Sequence, residues 1–202
     1  MMELLFYGFL AIFISFILFY ATKKPIFSIK SDNKFDFFLK NVSLHMRRYH
    51  PKIPIDYSFV KLFENEKNLK IRETIVVQEL VSQFYSFHFA KTTQEAIPKE
   101  KLWPTYVDNP KTPSYPNDWL QRKEFAYVRD LKSCKRCGKN LLSLNEVYNT
   151  FVRPIESGGS YNFENIITLC IDCNKILNSN NQKSSTINSL KLYDELLDFI
   201  VD

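Results

Sequence analysis

The pattern of apolar and polar positions divides the chain into stretches of different character. From Leu4 to Thr22 there is no charged residue, and the run is rich in Leu, Ile, Phe and Tyr. A helix needs about 20 such residues to cross a hydrocarbon core. Tyr7 and Tyr20 stand near its ends, where interfacial aromatics collect. Residues 1–22 therefore read as a transmembrane anchor. A cleaved signal peptide would want a basic stretch before the apolar core and small residues after it, whereas Met1-Met2-Glu3 precedes and Lys23-Lys24-Pro25 follows. Lys23, Lys24 and Lys30 all lie after the span, so the positive-inside rule predicts a single-pass membrane protein with its C-terminal part in the cytoplasm.

Residues 23–97 change to helical spacing. Phe35, Phe38, Leu39, Val42 and Met46 recur on one face, Pro51 and Pro54 mark a turn, and Leu69 to Phe89 offers Ile75, Val76, Leu80, Val81, Phe84 and Phe87. This region predicts a helical spacer. Over 98–116 the prolines Pro98, Pro104, Pro110, Pro113 and Pro116 preclude a long helix, which makes the stretch a linker. Residues 117–202 then form a last module. It opens with a helix capped by Asn117 or Asp118, with Trp119, Phe125 and Val128 inward and Arg122, Lys123 and Arg129 outward. Leu141 to Val152 predicts a hairpin or strand pair ended by Pro154, and Ile166 to Leu169 leads into a short helix from Asp172. Asn178 to Asn188 reads as a polar loop, and Leu190 to Val201 as an amphipathic helix.

The chemistry of that module lies in the chain's four cysteines, Cys134, Cys137, Cys170 and Cys173. Each Cys-x-x-Cys puts two sulfurs on one tight turn, and two such turns complete a tetrahedral site, most often for a structural Zn2+. Two disulfides, or a redox pair beside a βαβ unit, are the alternatives. A rubredoxin-like iron site suits Cys137-Gly138 but not the second pair, which is followed by Asn174. A reducing cytoplasm agrees with zinc.

Around the cysteines stand Tyr115-Pro116, Asp118-Trp119, Arg122-Lys123, Val128-Arg129-Asp130, Glu146-Val147, Pro154, Gly158-Gly159, Glu164-Asn165 and Leu169. In that order they resemble the HNH endonuclease family, the ββα-metal nucleases, in the subgroup that carries a structural zinc. The resemblance implies a small ββα-metal zinc module, which together with the N-terminal transmembrane helix and helical spacer read above makes the expected fold class α+β. It also implies nucleic acid, chiefly DNA, as a partner beside the membrane.

In the family pattern a strand ends in His-His-Ile-x-Pro and a helix opens with Cys-x-x-Cys-His. Here the two strand histidines fall on Thr150 and Phe151, and the last one on Asn174; Asn165 is the only catalytic-motif position kept. The three histidines of the chain, His45, His50 and His88, lie upstream. Such nucleases need a general base to activate water and a divalent metal to offset charge on the phosphate. Phenylalanine supplies neither function, and Asn174 offers one neutral oxygen.

The expectation is therefore a membrane-anchored HNH-like protein that binds nucleic acid with weak or absent cleavage. One alternative is an active enzyme with a second divalent metal, rebuilt from Glu146, Tyr148, Asn149 or Glu156 with Asn165 and Asn174. His88 or His50 folded beside Asn165 would likewise supply a base. The other alternative is a membrane-associated protein-interaction module.

Charge adds a location for binding. Between Lys111 and Lys139 there are eight Lys or Arg against three Asp or Glu, an excess equal to the whole net charge of +5. Lys132, Lys135, Arg136 and Lys139 surround the first cysteine pair, and Arg153 precedes Pro154. Basic side chains so placed would hold phosphates without reading sequence.

Overall fold

The computed structural model describes residues 33–91, 115–179 and 183–200. By its contacts the chain divides into two compact units, Met1–Phe37 and Phe38–Asp202. The second unit holds the cysteines together with residues 38–91 of the stretch expected to act as a spacer. The proline-rich stretch expected to be a linker lies almost entirely outside the described residues.

Helix α1 spans Asn33–Tyr49 and helix α2 spans Leu69–Ser86. A 3-10 turn over Ser58–Phe63 lies between them. α1 buries Phe38, Leu39, Val42 and Met46, and α2 buries Val76, Val77, Leu80, Val81 and Phe84, the spacing of a core-facing helix stripe. Asn68 caps α2 by accepting from the Ile71 amide at 3.3 Å. Beyond the end of α1, His50 is fully buried against the Phe84 ring, 4.9 Å between centroids. Burial, with Lys139 and His45 nearby, brings its pKa down to about 3, so the ring is neutral.

Among the described residues no helix is long and apolar enough to cross a membrane. The two longest, α1 and α2 (17 and 18 residues), carry charges such as Lys40, Arg47, Arg72 and Glu79 within their turns. The expected fold class is corrected accordingly. The described chain is an α+β protein built on a ββα module with no membrane-spanning helix, and the single-pass placement falls with it. The stretch 1–22 on which that expectation rested lies outside the described residues.

Helix α3, Trp119–Arg129, enters the module; Trp119 packs on the core as expected, but Arg122, Phe125 and Val128 lie on the opposite side from the expected one. Arg122, Ala126 and Tyr127 are buried, while Phe125 and Val128 are 48% and 55% exposed. Arg122 turns inward because acceptors await it there: Asp118 Oδ1 and Asn162 Oδ1, each at 2.9 Å. Arg129 likewise donates to the Phe163 carbonyl and, at 2.5 Å, to that of Ile166. Buried charges persist only when paired and hydrogen-bonded, and both arginines are.

Strand β1 (Tyr148–Phe151) pairs antiparallel with β2 (Ile166–Leu169) in a two-stranded sheet, Tyr148 opposite Leu169 and Phe151 opposite Ile166. Every residue of β2 is buried, because α3 packs on this strand and α4, Ile171–Asn178, packs on both strands. Among the described residues two further helices follow, α5 at Lys183–Asn188, where a polar loop was expected, and α6 at Lys191–Leu197. Helix α6 packs on α2 and α4. Asp172 of α4 accepts from the first amides of α6, Lys191 at 2.8 Å and Leu192 at 3.1 Å. That contact ties the second cysteine pair to α6.

Candidate functional site

The first cysteine pair sits on a turn held by its own backbone. The Cys134 amide donates to the Lys139 carbonyl and the Gly138 amide to the Cys134 carbonyl, both at 2.8 Å. Gly138 has φ of +83°, and a Cβ there would fall 2.8 Å from Pro51. Only glycine fits both the left-handed backbone and the close approach. The Lys135 amide reaches the Thr168 carbonyl at 2.9 Å, which sews this turn to β2. The second pair straddles the start of α4, with Cys170 at its N-cap and Cys173 in its first turn.

All four sulfurs are buried and lie within 4.8 Å of one another, and Cys137 Sγ is 3.7 Å from Cys170 Sγ. Zn–S bonds of about 2.3 Å in a tetrahedron place sulfurs about 3.8 Å apart, so this geometry suits the ion. Burial opposes ionisation of Cys134, but the thiols of Cys137, Cys170 and Cys173 outweigh it and hold its pKa well below the ordinary value. Cys137 and Cys173 are pushed up, chiefly by their contact with Cys134. Left to themselves, Cys137 and Cys173 therefore hold their protons beside Cys134. A cation lets all four ionise. The donor set is that of a structural zinc site.

The strand-to-helix face of the module carries a different set of groups. Thr150 Oγ1 lies 3.4 Å from Asn178 Oδ1, and Asn178 Nδ2 donates to Asn174 Oδ1 at 2.7 Å. The Lys91 ammonium, from beyond α2, donates to Thr150 Oγ1 at 3.2 Å. Phe151 turns the other way, into an aromatic group with Trp119 and Tyr161 at centroid distances of 6.1 and 5.6 Å. It also packs against the Ala126, Phe163 and Ile166 core.

Between the strands, Asn165 holds the loop shut. Its Oδ1 accepts from the Arg153 amide at 2.9 Å, and its Nδ2 donates to the carbonyls of Arg153 at 2.9 Å and Ser160 at 2.8 Å. A Cβ on Gly159 would meet the Arg153 carbonyl oxygen at 2.0 Å, so the loop tolerates no side chain there.

Residues 134–180 match the family model described as HNH endonuclease. The module fits the zinc-knuckle type of that family. No curated protein and no solved structure matches the chain. The match takes in both knuckles, both strands and α4, and leaves residues 1–133 and 181–202 outside it. An HNH domain is a nuclease-like, nucleic-acid-related module, and this one has its zinc ligands in place.

The basic residues around the HNH knuckle separate once their surroundings are known. Arg136 is 1% exposed and does not face solvent. Its guanidinium donates to the carbonyls of Phe84, Tyr85 and Phe87 at 2.6, 3.2 and 2.9 Å, and to Cys173 Sγ at 3.5 Å. It also lies over the Phe84 and Phe87 rings. The expectation that Arg136 faces a phosphate backbone is corrected, since no buried guanidinium can reach one. Lys139 is tied to Glu195 at 3.4 Å. Lys132 is exposed, at the second of two consecutive left-handed positions, Leu131 and Lys132, with φ of 56° and 55°. Lys135 keeps a side chain 35% exposed, 4.0 Å from Asp130. Arg153 is exposed, with Nε on the Ser157 carbonyl at 2.6 Å.

Sequence reasoning missed Lys91 and Asn178. Asn178 stands one helical turn after Asn174, a spacing that could have flagged it. Nothing in the sequence ties Lys91 to Thr150.

Proposed function

We propose that the protein binds nucleic acid, DNA first, through the HNH module, and that it does so without the family's usual hydrolysis. The observation that carries this reading is the group around Thr150. The polar atoms described there belong to a hydroxyl, two carboxamides and the Lys91 ammonium. Neither a hydroxyl nor a carboxamide is a general base at neutral pH, and the Lys91 side chain already occupies Thr150 Oγ1. General-base assistance contributes about 10²–10⁴-fold to such a reaction, and Phe151, packed among Trp119 and Tyr161, cannot supply it.

What remains fits a binding role. The zinc knuckle and the Asn165-closed loop fix a rigid scaffold, and Lys132, Lys135 and Arg153 remain as candidates to meet phosphates. Three such contacts correspond to a salt slope, log K against log salt, of about −3 on duplex DNA.

The test uses the full chain with supercoiled plasmid in Mg2+, Mn2+ or Ni2+. Retarded but intact plasmid, released by rising salt, is the expected result. Nicking that disappears in Asn165→Ala would instead establish an enzyme with a rearranged site. Absence of affinity even at low salt would remove the nucleic-acid reading altogether.

A further inference from the structure

The end of α1 and the middle of α6 meet in a group of two imidazoles and a carboxylate. One ligand atom from each of His45, His50 and Glu195 lies within 4.8 Å of the other two. His45 Nε2 is 3.2 Å from Glu195 Oε2. Close as this contact is, Nε2 makes no aligned hydrogen bond, and neither ring nitrogen of the buried His50 has a partner among the described residues. Unpaired buried polar atoms are costly, and native structures rarely leave several together.

Each of the three has neighbours on its outer side. The His50 amide donates to the Met46 carbonyl at 2.8 Å, and the His50 carbonyl accepts from Ile53 at 3.1 Å. The His45 ring lies between Tyr49 at 4.7 Å and Phe199 at 5.5 Å. The second oxygen of Glu195, Oε1, is occupied by Lys139 at 3.4 Å and Lys191 at 3.8 Å. That leaves Oε2 toward the histidines.

We propose that His45, His50 and Glu195 bind a second divalent cation, Zn2+, separate from the four-cysteine site. Two imidazole nitrogens and one carboxylate oxygen form a ligand set that zinc takes readily, with water in the fourth position. Metal–ligand bonds of about 2.0–2.2 Å bring such donors to about 3.4 Å from one another. Rotation of His45 and Glu195, whose side chains are 12% and 23% exposed, closes the present spread around a stationary His50. Lysines on Oε1 keep the carboxylate monodentate, the outer support that metal-bound carboxylates commonly have. The ion joins the end of α1 to α6, which Asp172 already fixes to the second knuckle. It therefore clamps the helical part of this unit to the HNH module, whatever that module binds.

The test is the zinc content of the full chain after equilibration with excess Zn2+ and removal of unbound ion. Wild type is expected to carry two zinc ions per chain, and His45→Gln and Glu195→Gln one each. Cobalt substitution separates the sites, because thiolate-to-cobalt charge transfer reports the cysteines alone and stays unchanged in both variants. One zinc per wild-type chain, or two retained by both variants, overturns the proposal. One zinc per wild-type chain overturns the proposal even if a variant fails to fold.

Discussion

The guanidinium of Arg136 lies 3.5 Å from the sulfur of Cys173 and, in the same pose, closes the C-terminal end of α2 through three carbonyls. A residue inside the first knuckle thus joins the zinc site to a helix outside the HNH match. The last carbonyls of a helix lack internal partners and carry its negative end. A sulfur that ionises adds negative charge beside them. One buried cation answers both.

Replacing Arg136 with Met should therefore act on stability and not on DNA affinity. It strands helix-end carbonyls and removes a charge-assisted contact to sulfur, a loss of about 3 kcal/mol. Lysine should rescue little, since it lacks the planar fork that spans several carbonyls. Thermal melts and salt-dependent DNA binding on the same variants distinguish the cases. An unchanged melting temperature with weakened DNA binding would return Arg136 to the phosphate-facing set.

Cys137→Ser should release zinc and unfold the module, because a structural site supplies folding free energy directly. A strong chelator should do the same to the native chain. Metal analysis with far-ultraviolet circular dichroism reads both effects. A variant that stays folded without metal would show that the ββα core stands unaided.

The legible and illegible parts of this fold differ for physical reasons. The cysteine site was open to reading because metal bonds demand fixed ligand types at fixed spacing. The turn around Gly158-Gly159 and the stop at Pro154 were legible through backbone geometry. The face of α3 was not, because periodicity places charges outward and Arg122 and Arg129 go inward to acceptors on distant segments. The same error spread to the basic patch. Part of the charge excess counted near the first knuckle belongs to Arg122, Arg129 and Arg136, all engaged with the protein's own acceptors. The Lys91–Thr150 contact crosses 59 positions, which no local pattern encodes.

Asn165→Ala should loosen the loop between the strands without touching zinc. Three hydrogen bonds to the main chain disappear, at about 1 kcal/mol each. Asn165→Asp keeps the acceptor for the Arg153 amide but turns a carboxylate oxygen toward the carbonyls of Arg153 and Ser160, acceptor against acceptor, so it should loosen the loop at least as much as Ala. Amide exchange over residues 152–162 checks this. Protection that survives in the alanine variant would mean that Gly159 and the backbone bonds hold the loop by themselves.

Phe151→His restores an imidazole at a family position, yet it should yield no nuclease. The ring at 151 is directed into the Trp119 and Tyr161 group rather than toward Thr150 and Asn178. Its polar nitrogens would be partly buried among aromatic faces, which costs about 1–3 kcal/mol without a partner. The melting temperature should drop, and plasmid should stay intact with Mg2+, Mn2+ or Ni2+. Metal-dependent nicking by this single variant would show that the scaffold lacks only its base, and that the ammonium of Lys91 yields its place to a divalent ion.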